Sequence, residues 1–138
     1  MTNLIPQAAA IPFRRSGDRL EICLITSLTR KRWIFPKGII DPGETVAETA
    51  LKEAFEEAGL HGRIVGDPMG TYTYSKWGTT LEVTVVLMEV ERADASWEEA
   101  ELRQRRWVSP DEALELVSQA ELVHLLRKAL LVLERSDP

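Results

Sequence analysis

Cysteine is nearly absent: Cys23 stands alone in the 138 residues, so no disulfide can form within the chain. It lies in the apolar run LEICLIT and reads as a small core residue. Long hydrophobic runs are missing too. The longest, around Val83 to Val90, is broken by Thr84 and Glu89 and is far too short to span a bilayer. The opening MTNLIPQAAA lacks the basic start and long apolar segment of a secretory leader. These absences make a cytoplasmic location and no membrane partner the expectation. Positive charge is in the minority, with 17 Lys and Arg against 22 Asp and Glu and a net charge of -5. That balance argues against general nucleic-acid binding through a basic surface. With no repeat, low-complexity tract or linker, residues 1–138 read as a single domain. Histidine is reduced to His61 and His124, which stand alone and take no assigned role.

What is present suffices for a core: 44% of residues are hydrophobic and 28% charged. Gln7 to Arg14 and Leu20 to Ser27 read as strands joined by the turn SGD. Trp33 to Pro36 is a short extended piece, and Thr45 to Ala58 reads as a helix. Arg63 to Lys76 and Thr79 to Glu91 form a hairpin around Trp77-Gly78. Trp107-Val108 is a short strand. Ser109 caps a helix with Pro110 at its first position, and Glu121 to Arg135 is a final amphipathic helix. Strands and helices mix without regular alternation, which predicts an α+β sandwich and not a doubly wound sheet.

One segment, KGIIDPGETVAETALKEAFEEAG from Lys37 to Gly59, gathers acidic residues at 41, 44, 48, 53, 56 and 57. On a helical wheel with Ala47 at zero, Ala50, Leu51, Ala54, Phe55 and Ala58 fall within roughly 80° of it, a single apolar stripe. Glu53, Glu56 and Glu57 fall at about 240°, 180° and 280°, a second stripe. Like charges at these spacings repel, and the C-terminal half of a helix disfavours anions. A sequence selected only for helix stability would not place them there. A divalent cation removes both penalties, and hard oxygen ligands suit Mg²⁺ or Mn²⁺. Gly38 and Gly43 bracket a tight loop that can bring a backbone carbonyl against such a metal. Glu44 sits just before the helix, where it can accept bonds from the loop or the first helical amides, and Gly59 is a natural stop.

From Gly38 the chain reads G, five residues, E, seven residues, then KEAFEEAGL. This resembles the Nudix box, the signature of hydrolases of nucleoside diphosphates linked to another moiety. Gly38, Glu44, Glu53, Glu56, Glu57, Gly59 and Leu60 match the pattern; Lys52 replaces its arginine, and Ala54 is a small version of its aliphatic position. The resemblance implies a Nudix-like α/β/α sandwich with a mixed central sheet. It also implies hydrolysis of a phosphoanhydride bond by water with Mg²⁺ or Mn²⁺. The metal ligands it implies are Glu53, Glu56 and Glu57, with the Gly38 carbonyl as a further one. Glu57 and Glu53 are the catalytic candidates. The base is open between Glu53 and a distal acid, for which Glu98, Glu99 and Glu101 occupy the corresponding region. Gly43, Glu44, Lys52 and Gly59 are expected to support the loop and helix. Lys52 offers a point charge where arginine offers a planar fork, so a looser clamp is expected.

RWIFPKG before the box looks like the segment of Nudix enzymes acting on diadenosine polyphosphates, diphosphoinositol polyphosphates and 5'-triphosphorylated RNA. Arg30, Lys31, Arg32 and Lys37 would hold extra phosphates there, and Arg103, Arg105 and Arg106 form a later basic cluster. Tyr72, Tyr74 and Trp77 are candidates to stack on a base, although aromatics in a hairpin are more often packing partners, whereas Trp33 and Trp107 read as core. The expected partner is a small nucleotide or polyphosphate, with a dinucleoside polyphosphate favoured; a homodimer is allowed. The rival readings are hydrolysis of ADP-ribose or an oxidised nucleoside triphosphate, a non-catalytic nucleotide sensor, and a structural domain with an acidic surface helix.

Overall fold

The computed structural model describes residues 4–135. Its organising element is the run QAAAIPF, buried from Gln7 through Phe13, as a strand covered on both faces must be. That run lies in β1 (Leu4–Ser16), which turns at Gly17-Asp18 into antiparallel β2 (Arg19–Thr26). The two short strands β3 (Trp33–Ile34) and β4 (Lys37–Ile39) pair with β2 and β1 respectively. Helix α1 (Val46–Ala58) follows, then the long hairpin of β5 (Leu60–Lys76) and β6 (Thr79–Ala93). The described chain closes with β7 (Arg105–Val108), α2 (Pro110–Leu116) and α3 (Ala120–Arg135). The sheet order is β3-β2-β1-β6-β5, with β4 on β1 and β7 on β2. β1 and β6 run parallel while the other pairs are antiparallel, so the sheet is mixed.

Alternation along β1 divides the core in two. Ala9, Ile11 and Phe13 join Ile22, Leu24 and Val85 beneath Leu122, Leu126 and Ala129 of α3. Ala8 and Ala10 join Cys23, Ile25 and Met88 beneath Ala50, Ala54 and Ala58 of α1. The sheet is thus sandwiched between α1 and the α2–α3 pair, the expected α/β/α arrangement.

Helix α1 begins at Thr45, whose hydroxyl accepts from the Glu48 amide while the Glu48 carboxylate accepts from the Thr45 amide. It ends at Gly59 in the left-handed region, with φ of 66°. Alanines on both surfaces set a close helix-to-sheet approach, which accounts for the small residue at position 54. The apolar stripe is shifted from the wheel. Phe55, at one margin, is exposed and meets His61 edge-on with centroids 5.1 Å apart, while Glu57, at the other margin, is buried. The sheet therefore covers the Glu57 side of the stripe. Trp33 and Trp107 pack against the two core clusters, as expected, and their half-buried rings lie under the guanidinium groups of Arg106 and Arg14.

Ala54→Leu should overpack the α1–β1 contact. We expect a loss of about 1–3 kcal/mol in urea unfolding. Unchanged stability would show that the alanine face has room to spare.

Candidate active site

The α1–β1 contact fixes the loop before the helix. β4 pairs with β1 so that Ala8 faces Gly38 and Ala9 faces Lys37. This seats Gly38 directly on the Glu53 side chain; a Cβ there would collide with the carboxyl. The Lys37 amide donates to Glu57 Oε1 at 3.1 Å. The box loop and the acidic end of α1 are thereby a single packed unit.

Glu57 is only 8% exposed. Burial pushes its pKa up to about 8, against the opposing pull of the Arg103 guanidinium. The neighbouring Glu53 charge raises it further, and the Lys37 amide lowers it. Glu53 is also raised, first by burial and then by the charge of Glu56, and it shares a hydrogen bond with Glu57. Arg103 Nη2 lies 3.4 Å from Glu57 Oε2, yet burial and the Glu53 charge outweigh that attraction. The pair keeps a proton at pH values where solvated carboxylates have lost theirs.

The donor set fits a hard divalent cation: buried carboxylates in mutual repulsion, beside a glycine that leaves no side chain in the way. Among the described residues, no three His, Cys, Asp or Glu side chains already form a ligating cluster. Glu56 is near enough to raise Glu53 but does not complete such a group in this conformation.

Glu44 and Lys52 belong to the loop. Glu44 Oε1 accepts from the Asp41 amide at 3.2 Å and the Thr49 hydroxyl at 2.9 Å. Lys52 Nζ donates to Glu44 Oε2 at 2.8 Å and to Asp41 Oδ2 at 3.1 Å. These bonds hold the Glu44 pKa below its ordinary value, the Lys52 contact most strongly, and raise that of Lys52. Lysine at this position thus ties the Gly43 turn, where φ is 88°, to the helix.

Of the three distal acids, Glu99 is the one joined to the site. Glu98 and Glu101 are exposed. The Glu99 amide donates to the Glu56 carbonyl at 3.2 Å, and its carboxylate accepts from Arg103 Nε at 2.7 Å. The Arg103 side chain, 7% exposed, also donates to the Thr26 carbonyl at 3.0 Å. One guanidinium therefore joins Glu57, Glu99 and the end of β2. Nearby, Trp97 Nε1 donates to the Glu57 carbonyl at 2.9 Å and Arg105 Nη1 to the Ala58 carbonyl at 2.7 Å. Trp97 also packs against Gly59, where a Cβ would come within 2.8 Å of it. The last turn of α1 contains no basic residue of its own, so these groups supply its donors from outside. Arg103 and Arg105 stand out in the sequence only as members of a basic cluster beside an acidic turn, and Trp97 carries no sequence signal for this role.

A cleft of about 280 Å³ opens beside this unit, lined in part by Arg30, Arg32, Lys37, Tyr74, Lys76 and Gln119. Lys37 Nζ donates to the Tyr74 hydroxyl at 3.0 Å, and that hydroxyl donates to Gln7 Oε1 at 2.7 Å. Lys31 does not line the cleft; its ammonium reaches the Leu102 carbonyl at 3.4 Å. Tyr72 borders the cleft but is buried in the core, so of its two readings it takes that of a packing partner. Arg105 and Arg106 are occupied elsewhere, on Ala58 and on Glu112.

The family model of the NUDIX domain matches residues 4–129. Nudix hydrolase 13, mitochondrial, of Arabidopsis thaliana is 36% identical over 109 residues, covering 72% of this chain and 54% of that protein. A Caenorhabditis elegans bis(5'-nucleosyl)-tetraphosphatase (asymmetrical) is 27% identical over 129 residues, covering 91% of this chain and 94% of that protein. The crystal structure of a C. elegans Ap4A hydrolase binary complex superposes with a TM-score of 0.82 at 27% identity, covering 94% of this chain and 98% of that one. The chain spans about half to three-fifths of the length of the Arabidopsis relatives Nudix hydrolases 13, 12 and 4. Among the described residues, no helix is long and apolar enough to cross a membrane.

Two outcomes follow from the buried acids. A carboxyl that is harder to ionise folded than unfolded stabilises the fold at low pH. Its contribution is full below the ordinary carboxyl value of 4.5 and is lost as pH rises through about 8. In metal-free buffer, the Tm of the wild type should therefore fall more between about pH 5 and about pH 9 than that of Glu57→Gln. Millimolar Mg²⁺ should recover most of the loss at the alkaline end by binding the ionised pair. Identical Tm profiles for the two chains would assign the titration elsewhere.

Arg103→Met removes a buried counter-charge. It should cost about 3 kcal/mol in urea unfolding at neutral pH. It should also move the alkaline fall in Tm to higher pH, because Glu57 loses the cation that opposes its protonation. A stability loss with no shift of the profile would separate Arg103 from Glu57.

Proposed function

The chain belongs to the Nudix family, and we propose that it is a metal-dependent pyrophosphohydrolase whose substrate is a dinucleoside polyphosphate. The observation that carries this reading is Lys37. Its backbone amide holds Glu57 in the acidic centre, while its side chain lines the cleft with Arg30, Arg32 and Lys76. A phosphate chain long enough to run from the acids into the cleft meets those cations in succession. The similarity to the C. elegans tetraphosphatase over nearly the full length of both chains supports the same substrate class.

In this mechanism Glu53, Glu56 and Glu57, with the Gly38 carbonyl, would hold Mg²⁺ or Mn²⁺. When bound, the cation neutralises the pyrophosphate and makes a water more acidic. The chain's own groups do the rest. The Lys37 amide keeps Glu57 aimed, and the Gly43 turn, tied through Glu44 and Lys52, fixes the loop that carries Gly38. Arg30, Arg32 and Lys37 bind phosphates beyond the scissile bond. Glu99, held in place by Arg103, takes the proton from the attacking water as the new oxygen–phosphorus bond forms and the anhydride oxygen–phosphorus bond breaks.

A panel of dinucleoside tetraphosphate, ADP-ribose and nucleoside triphosphates with Mg²⁺ tests the reading. Dinucleoside tetraphosphate should give the highest kcat/KM, and Glu57→Gln should lower turnover by about 10² or more. Arg30→Ala combined with Arg32→Ala should cost about tenfold in kcat/KM for dinucleoside tetraphosphate, the scale of two exposed charge contacts, and less for ADP-ribose. A preference for ADP-ribose would reject the polyphosphate assignment. No turnover of any compound, with binding retained, would make the chain a sensor.

A further inference from the structure

The hairpin between β5 and β6 turns through two residues, Trp77 and Gly78, with φ of 56° and 71°. Both angles are positive, the geometry of a type I′ turn, which favours asparagine, aspartate or glycine at its first position. A bulky aromatic residue is strained there. The indole gains nothing evident from burial in return, since Trp77 is 75% exposed. A sequence answering only to the fold would place asparagine at 77.

Its surroundings give the indole a use. The Lys76 ammonium lies 4.4 Å from the Trp77 ring centroid, and Lys76 also lines the basic cleft. Tyr74, two residues back on the same face of β5, lines it as well. A phosphate chain that leaves the cleft past Lys76 carries whatever it bears to the indole. The ring is large, flat and solvent-facing, and every nucleobase offers a π-face to such a surface.

We propose that Trp77 is a stacking platform for the distal nucleobase of a dinucleoside polyphosphate and so a specificity residue for the second nucleoside. This rests on the dinucleoside polyphosphate reading and adds a subsite to it. The inner nucleoside and the phosphates stay with the cleft; the outer nucleoside stacks on Trp77.

Trp77→Asn tests the proposal because it favours the turn while removing the ring. Its Tm should rise by about 2–5 °C. Its KM for diadenosine tetraphosphate should rise about fivefold, the low end for a stacking contact at an exposed site, with kcat unchanged. KM for adenosine tetraphosphate, which has no second nucleoside, should stay at the wild-type value. Trp77→Phe should keep KM for the dinucleotide near wild type. Unchanged KM for both substrates in Trp77→Asn, or an equal rise for both, would overturn the proposal while wild-type turnover of the dinucleotide upholds the enzyme reading. A fall in Tm would show that the indole serves the hairpin itself, and would also overturn it. If wild type does not cleave diadenosine tetraphosphate, the substrate reading fails and the subsite goes with it.

Discussion

Mutual repulsion among carboxylates at the C-terminal end of α1 is the constraint that most of the structure answers. Glu57 is buried beside the half-buried Glu53, and Glu56 adds its charge to Glu53. The helix dipole opposes all three. Three kinds of compensation are visible. A proton is retained by the pair. Arg103 brings a positive charge from a distant segment. Backbone, indole and guanidinium donors from Lys37, Trp97 and Arg105 satisfy carboxylate and carbonyl oxygens at the helix end. Each compensates only in part, and the carboxylates still raise one another's pKa.

Legibility from sequence followed the range of the interactions. The box helix, its Thr45 and Gly59 boundaries and the Trp77-Gly78 turn depend on neighbours a few residues apart, and periodicity and turn chemistry reveal such features. The matched positions of the box pointed to the family, and the sandwich followed. What stayed hidden depends on contacts between distant segments. Arg103 meets Glu57 from 46 positions along the chain, and nothing local distinguishes it from Arg106, which pairs with Glu112 on the surface. The same holds for Glu99 against Glu98 and Glu101: three acids in one turn look alike until the fold anchors one of them to Glu56 and Arg103. The wheel also treated Phe55 and Glu57 symmetrically, because only the position of the sheet decides which margin of a stripe is covered.

Close packing and chemistry are coupled through β1. Its alanines serve two faces: Ala8 and Ala10 admit α1, and the same stretch pairs with β4, which carries Lys37 and Gly38. A larger side chain at either place would move the helix and the loop relative to each other. The distance between Gly38 and Glu53 leaves no room for that movement. The precision of the acidic centre is therefore a property of core volume, and the loop needs no rigidity of its own beyond the Glu44–Lys52–Asp41 tie.

Lys37 shows how that precision reaches the substrate. A side chain on a mobile loop can bind a phosphate, but it does not register the phosphate against a catalytic group. Lys37 is held in the β4–β1 pairing, its amide is spent on Glu57, and its ammonium is oriented by Tyr74, which in turn is anchored on Gln7 of β1. The ammonium and the carboxylate are thus placed by the same strand. A phosphate chain bound to one has a defined position relative to the other, which is the condition for a long polyphosphate to be cut at one bond in preference to its neighbours. On the proposed reading, Lys37 would give a phosphate chain its register, and the exposed side chains of Arg30 and Arg32 would add attraction.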